Sequence, residues 1–92
     1  MNDLIKVGLI EDQQLFREGM KAILSTEKDL KVVFESADGY SVLDRLSDGS
    51  VLPDVMLVDL SLPPNGLQEF SGVQVTDALL YHYPYMKVLI LS

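Results

Sequence analysis

The chain has 92 residues, 48% of them hydrophobic and 23% charged, with no cysteine and a net charge of −7. That length allows one domain with a single modest core. No apolar run approaches the roughly 20 residues that span a bilayer, and the N-terminus MNDLIK has no secretory h-region. Without cysteine there is neither a disulfide framework nor a thiolate metal site. Only seven basic residues are present and they are scattered, which argues against direct nucleic-acid binding by this segment. A cytoplasmic location fits these features.

Ile5 to Ile10 is short, apolar and β-branched, and it stops at Glu11-Asp12. Gln13 to Leu24 then carries Phe16, Met20, Ile23 and Leu24 at helical spacing, with Asp12 available as an N-cap. Gly19 shares a face with Leu15 and Ala22, where a small residue would let the helix sit close to a sheet. Leu30 to Glu35 reads as a second strand, and Asp38-Gly39 turns the chain into a short helix over Ser41 to Leu46.

Asp48-Gly49-Ser50 ends that helix, and Pro53 introduces a third strand, Asp54 to Val58, running into Asp59. This strand is almost wholly apolar, as expected where both faces of a sheet are covered. Ser61 to Gly72 is loop, punctuated by Pro63-Pro64-Asn65-Gly66. Val73 to His82 is ambiguous: Val73, Val75 and Thr76 favour a strand, whereas Val75, Ala78, Leu79 and His82 share a helical face. A helix is expected, because the segment separates two apolar strands that need a crossover. Lys87 to Leu91 is a fourth strand, and Ser92 follows it. The pattern βαβαβαβ implies a parallel sheet with right-handed crossovers.

In such a sheet, ligands bind beyond the carboxyl ends of the strands. Glu11 and Asp12 follow strand one, and Asp59 follows strand three. If those strands are neighbours, the three carboxylates converge. Like charges so close raise one another's pKa unless a cation joins them. Oxygen ligands at a shallow, wet site suit Mg²⁺, and a carboxylate beside it is a nucleophile able to form an aspartyl phosphate. Any one of these acids alone can be a cap or a turn former; the three together at matching strand ends point to chemistry.

At these residues the chain resembles the receiver domains of bacterial two-component response regulators, especially the NarL/LuxR-type branch. The match runs from Val7-Gly8-Leu9-Ile10 into Glu11-Asp12, then through Leu15-Phe16-Arg17-Glu18-Gly19-Met20. It continues with Pro53-Asp54, with Asp59-Leu60-Ser61-Leu62-Pro63, and with Tyr83-Pro84 ahead of Lys87 to Ser92. The resemblance implies a flavodoxin-like (CheY-like) α/β fold with helices on both faces and strand order 2-1-3-4.

It further implies Asp59 as phosphoacceptor and Mg²⁺ held by Glu11, Asp12, Asp59 and the main-chain carbonyl of Ser61. Ser92 falls at the position of the switch hydroxyl. The implied partner is a sensor histidine kinase, and the implied role is regulatory rather than enzymatic, with a transcriptional output outside this chain.

Three departures from the family pattern stand out. Position 11 is Glu where Asp is commoner, and the loop 64–72 is longer than usual, so that Ser71-Gly72 takes the place of the family's polar/Gly pair. The largest is that residues 1–92 read as a receiver ending after strand four, without the fifth strand and its Lys. Poor phosphotransfer is the expectation, together with self-association through the open edge of the fourth strand. A degenerate receiver acting only as a protein-interaction module is the alternative. An aspartate-nucleophile phosphatase is disfavoured, because Asp59-Leu60-Ser61 lacks a second acid. His82, Tyr81, Tyr83 and Tyr85 read as packing and surface residues.

Overall fold

The computed structural model describes residues 4–48, 51–59 and 71–91. Strand β1 (Ile5–Ile10) leads into helix α1 (Gln14–Ser25), and β2 (Leu30–Ser36) into α2 (Val42–Ser47). Then β3 (Val55–Asp59) precedes α3 (Gly72–His82), and β4 (Lys87–Leu91) is last. The four strands form one parallel sheet in the order β2-β1-β3-β4, so β1 and β3 are neighbours as the site requires.

Alternation along the strands divides the core in two. Ile10, Phe34, Met56 and Val58 face α2 and α3, where they pack with Val42, Leu46, Val75 and Leu79. Val7, Leu9 and Leu57 face the other way, against Met20 and Leu24 of α1. Helices therefore cover both faces. Each fully buried aliphatic side chain stabilises the fold by about 1.5–3 kcal/mol. At the N-terminal strand ends, Asp54 acts as a clasp: its amide donates to the Lys6 carbonyl, and its carboxylate accepts from the Lys6 amide at 2.9 Å. Its carbonyl accepts from the Lys87 amide at 2.9 Å.

The ambiguous segment is helical, and its start explains why. Ser71 and Gln74 form a reciprocal capping box, in which the Ser71 amide donates to Gln74 Oε1 at 2.7 Å and the Gln74 amide donates to Ser71 Oγ. Val75 and Leu79 are buried, while His82 is exposed. Ser71→Ala is expected to cost about 1 kcal/mol of unfolding free energy, read from a urea melt.

Two expectations for α1 are corrected. Its N-cap is Gln13, which makes no side-chain cap bond, and not Asp12. Gly19 does not ease packing against the sheet, since a Cβ there would meet nothing within 4 Å. The helix is rotated so that Arg17, Met20, Lys21 and Leu24 turn inward. Gly19, Leu15, Phe16 and Ile23 are left exposed. On edge strand β4, Leu89 and Ile90 are likewise open to solvent.

Candidate functional site

The register that pairs Ile10 with Val58 carries β1 and β3 to a common end, so Glu11 and Asp59 emerge side by side. Carboxylate oxygens of Glu11, Asp12 and Asp59 all lie within 4.8 Å of one another. Glu11 and Asp59 are buried, at 3% and 7% exposure, and Asp12 is the most open of the three. Burial is the main reason that the Glu11 carboxyl is raised above its ordinary value of 4.5. The Gln13 amide opposes that shift, and the neighbouring Asp59 and Asp12 carboxyls add to it.

The main chain at Glu11 is fixed on both sides. Its amide donates to the Ser36 carbonyl at 3.0 Å, and its carbonyl accepts from Arg17 Nη1 at 2.8 Å. Its carboxylate accepts from the Gln13 amide at 3.1 Å. Helix α1 begins one residue later than an Asp12 cap requires, with Gln13 at its N-cap, and the Asp12 carboxylate lies with those of Glu11 and Asp59.

An all-oxygen donor set, with two of three carboxylates buried and one driven toward its neutral form, suits a small hard cation. Among the described residues, Arg17 and Lys21 form their ion pairs with Glu35, and Lys21 also with Glu18, while Arg17 meets Glu11 at its main-chain carbonyl. Glu11, Asp12 and Asp59 form, among the described residues, a carboxylate cluster with the oxygen spacing to hold a metal ion. Ser61 and Ser92, the other residues expected at the site, and the loop 64–70 lie outside the described residues.

His82 stands apart. With Tyr83 and Tyr85 it lines a cavity of about 550 Å³ near Lys6, Asp54 and Lys87, at the opposite end of the strands. Its ring meets Tyr81 edge-on, with centroids 5.1 Å apart. Arg17 and Ser36 were missed as neighbours of the site by sequence reasoning. For Arg17 a signal existed, because it falls with Met20, Lys21 and Leu24 on one i, i+3, i+4, i+7 stripe. For Ser36 there was none, since it acts through its main chain.

A CheY-like doubly wound sheet with an acidic cluster at its switch point defines a class, and comparison with known proteins agrees. The response regulator receiver domain model matches residues 7–92, and the chain belongs to that family. Its relatives are of the NarL/LuxR type. The chain is 39% identical over 88 residues to the transcriptional regulatory protein DegU of Brevibacillus brevis, covering 96% of this chain and 34% of DegU. It is 33% identical to the oxygen regulatory protein NreC of Staphylococcus aureus, covering 96% of this chain and 38% of NreC. It thus spans little more than a third of these relatives' length. The non-phosphorylated receiver domain of RcsB from Escherichia coli superposes with a TM-score of 0.80 at 21% identity, over 99% of this chain and 66% of that one. Among the described residues, no helix is long and apolar enough to cross a membrane.

Proposed function

We propose that this receiver accepts a phosphoryl group on Asp59 from a sensor histidine kinase, with Mg²⁺ held by Glu11, Asp12, Asp59 and the Ser61 carbonyl. The observation that carries the reading is the convergence of the three carboxylates within 4.8 Å at the joint end of β1 and β3. An Asp59 carboxylate oxygen attacks phosphorus in line, the bond from phosphorus to the donor imidazole nitrogen breaks, and that nitrogen keeps the electron pair and is protonated. Bound Mg²⁺ supplies charge neutralisation on the transferring group. The chain's own part is positional. Glu11, pinned through its amide and carbonyl, and Asp12 beside it hold their oxygens around one point, leaving an oxygen of Asp59 to react.

In this reading the Ser92 hydroxyl turns to the new phosphoryl oxygens and passes the change on, and the output is transcriptional, as in the relative named for that role. The test is addition of beryllofluoride with Mg²⁺ to the isotope-labelled protein. Amide shift changes are expected around Glu11, Asp59 and Ser92, and none in Asp59→Asn. A wild-type spectrum that does not respond would instead identify a receiver that works as a phosphate-independent interaction module.

A further inference from the structure

The proposed Mg²⁺ site needs a main chain that stays put while three carboxylates repel one another, and α1 supplies the tether. We propose that Arg17 is a positioning residue for this site, fixing the Glu11–Asp12 peptide from α1 while Glu35 of β2 fixes Arg17; this rests on the metal reading above.

Arg17 is the inward residue of the first turns of α1, its side chain only 15% exposed between exposed Leu15, Phe16 and Glu18. Its guanidinium is divided between two tasks. Nη1 donates to the Glu11 carbonyl at 2.8 Å, and Nε lies 3.4 Å from Glu35 Oε1. The other oxygen of Glu35 is 2.6 Å from Lys21 Nζ, one helical turn further along α1. Those contacts, the Lys21 hydrogen bond foremost, hold the Glu35 carboxyl below the usual carboxylate range although burial opposes them. Glu35 is paired with Leu9 on β1, two residues before Glu11, so the anchor stands on the same sheet as the site.

The carbonyl that Arg17 grips belongs to the peptide joining Glu11 to Asp12, so its orientation decides where the Asp12 carboxylate leaves the chain. The amide on the other side of Glu11 is already bound to Ser36 of β2. With the carbonyl released, rotation about the bond between Glu11 Cα and its carbonyl carbon becomes the soft degree of freedom. Repulsion among the three carboxylates would then swing Asp12 away from the other two. A planar, permanently charged fork reaches a carbonyl and a carboxylate together; a lysine ammonium is a poor substitute. Partners just outside a metal's ligands commonly set affinity in this way.

The discriminating experiment titrates Mg²⁺ into wild type, Arg17→Met, Glu35→Gln and Lys21→Met, reading the amide shifts of residues 11–13. Urea unfolding in EDTA is measured alongside. Arg17→Met is expected to weaken Mg²⁺ binding roughly 10-fold and to speed hydrogen exchange at the Asp12 and Gln13 amides without metal. Glu35→Gln should give a smaller loss of the same kind. Lys21→Met, which loosens the α1–β2 ion pairs without touching the carbonyl, should lower stability yet leave Mg²⁺ affinity within about twofold. Equal Mg²⁺ affinity of wild type and Arg17→Met, or equal weakening by Lys21→Met, overturns the proposal alone. A wild type that binds no Mg²⁺ overturns the metal reading and the proposal with it.

Discussion

Asp59→Asn is expected to make the metal-free protein more stable, by about 1–2 kcal/mol at pH 7, while abolishing phosphoryl acceptance and weakening Mg²⁺ binding at least tenfold. The carboxylate oxygens involved lie within 4.8 Å of one another. At that distance a pair of unit charges at an effective dielectric of 20 repels by about 3.5 kcal/mol. Proton uptake on Glu11 relieves part of this, which is why the expected gain is smaller. Asn keeps the shape of Asp, and its amide can donate to the Glu11 carboxylate.

The pH dependence has a definite sign. Glu11 titrates above its ordinary value of 4.5 in the folded state, because burial and its acidic neighbours disfavour the anion. Folding therefore takes up protons in that window, and the metal-free wild type loses stability as pH rises from 4.5 through the raised value. Below the window the penalty is absent. Asp59→Asn removes one of the acidic neighbours and should flatten the decline, leaving the part due to burial. Urea unfolding from pH 4 to pH 8 in EDTA, then with Mg²⁺, measures both effects. Mg²⁺ should raise wild-type stability by mass action and leave the variant nearly unchanged. A variant less stable than wild type in EDTA, or equal stabilisation of both by Mg²⁺, would refute the account.

The sheet and the acidic trio were legible because each rests on a short-range signal. The β-branched runs at Ile5 to Ile10 and Val55 to Val58 read as strands on their own, and alternation with helices forces parallel pairing. Once β1 lies beside β3, residues 11, 12 and 59 must meet. The rotation of α1 was not legible, because Leu15, Phe16, Met20, Ile23 and Leu24 spread apolar surface around more than one face of the helix. In the structure Met20 and Leu24 pack on Val7, Leu9 and Leu57 while Arg17 and Lys21, on the same stripe, reach Glu35 of β2, and Gly19 falls on the outer face. The Asp12 cap was not realised because a carboxylate at a strand end has two uses: α1 starts one residue later, with Gln13 at the N-cap, and Asp12 joins the acidic cluster.

At Gly8 a one-atom change has a large expected structural effect, and its neighbours explain why. It lies in β1 opposite Met56 of β3, one residue past the bulge in the pairing with β2. A Cβ there would stand 2.5 Å from Met56 Sδ and 2.9 Å from Pro53 Cγ. Met56 is fully buried among Ile10, Val58, Val75 and Leu79, so its thioether cannot simply swing into solvent, and the proline ring beside it is stiff. Gly8→Ala is expected to destabilise by about 1–2 kcal/mol, the overpacking being partly offset by a less flexible unfolded chain. Gly8→Val, with two further methyl groups in the same space, should cost about 3 kcal/mol or more, a large fraction of a small domain's stability. Met56→Ala alone should cost about 2–5 kcal/mol through the cavity it leaves. Because the valine fills that cavity, Gly8→Val with Met56→Ala should be more stable than the sum of the two losses by at least about 1 kcal/mol. Chemical denaturation of the four proteins closes the cycle, and simple additivity would mean that Met56 is not what excludes a side chain at position 8.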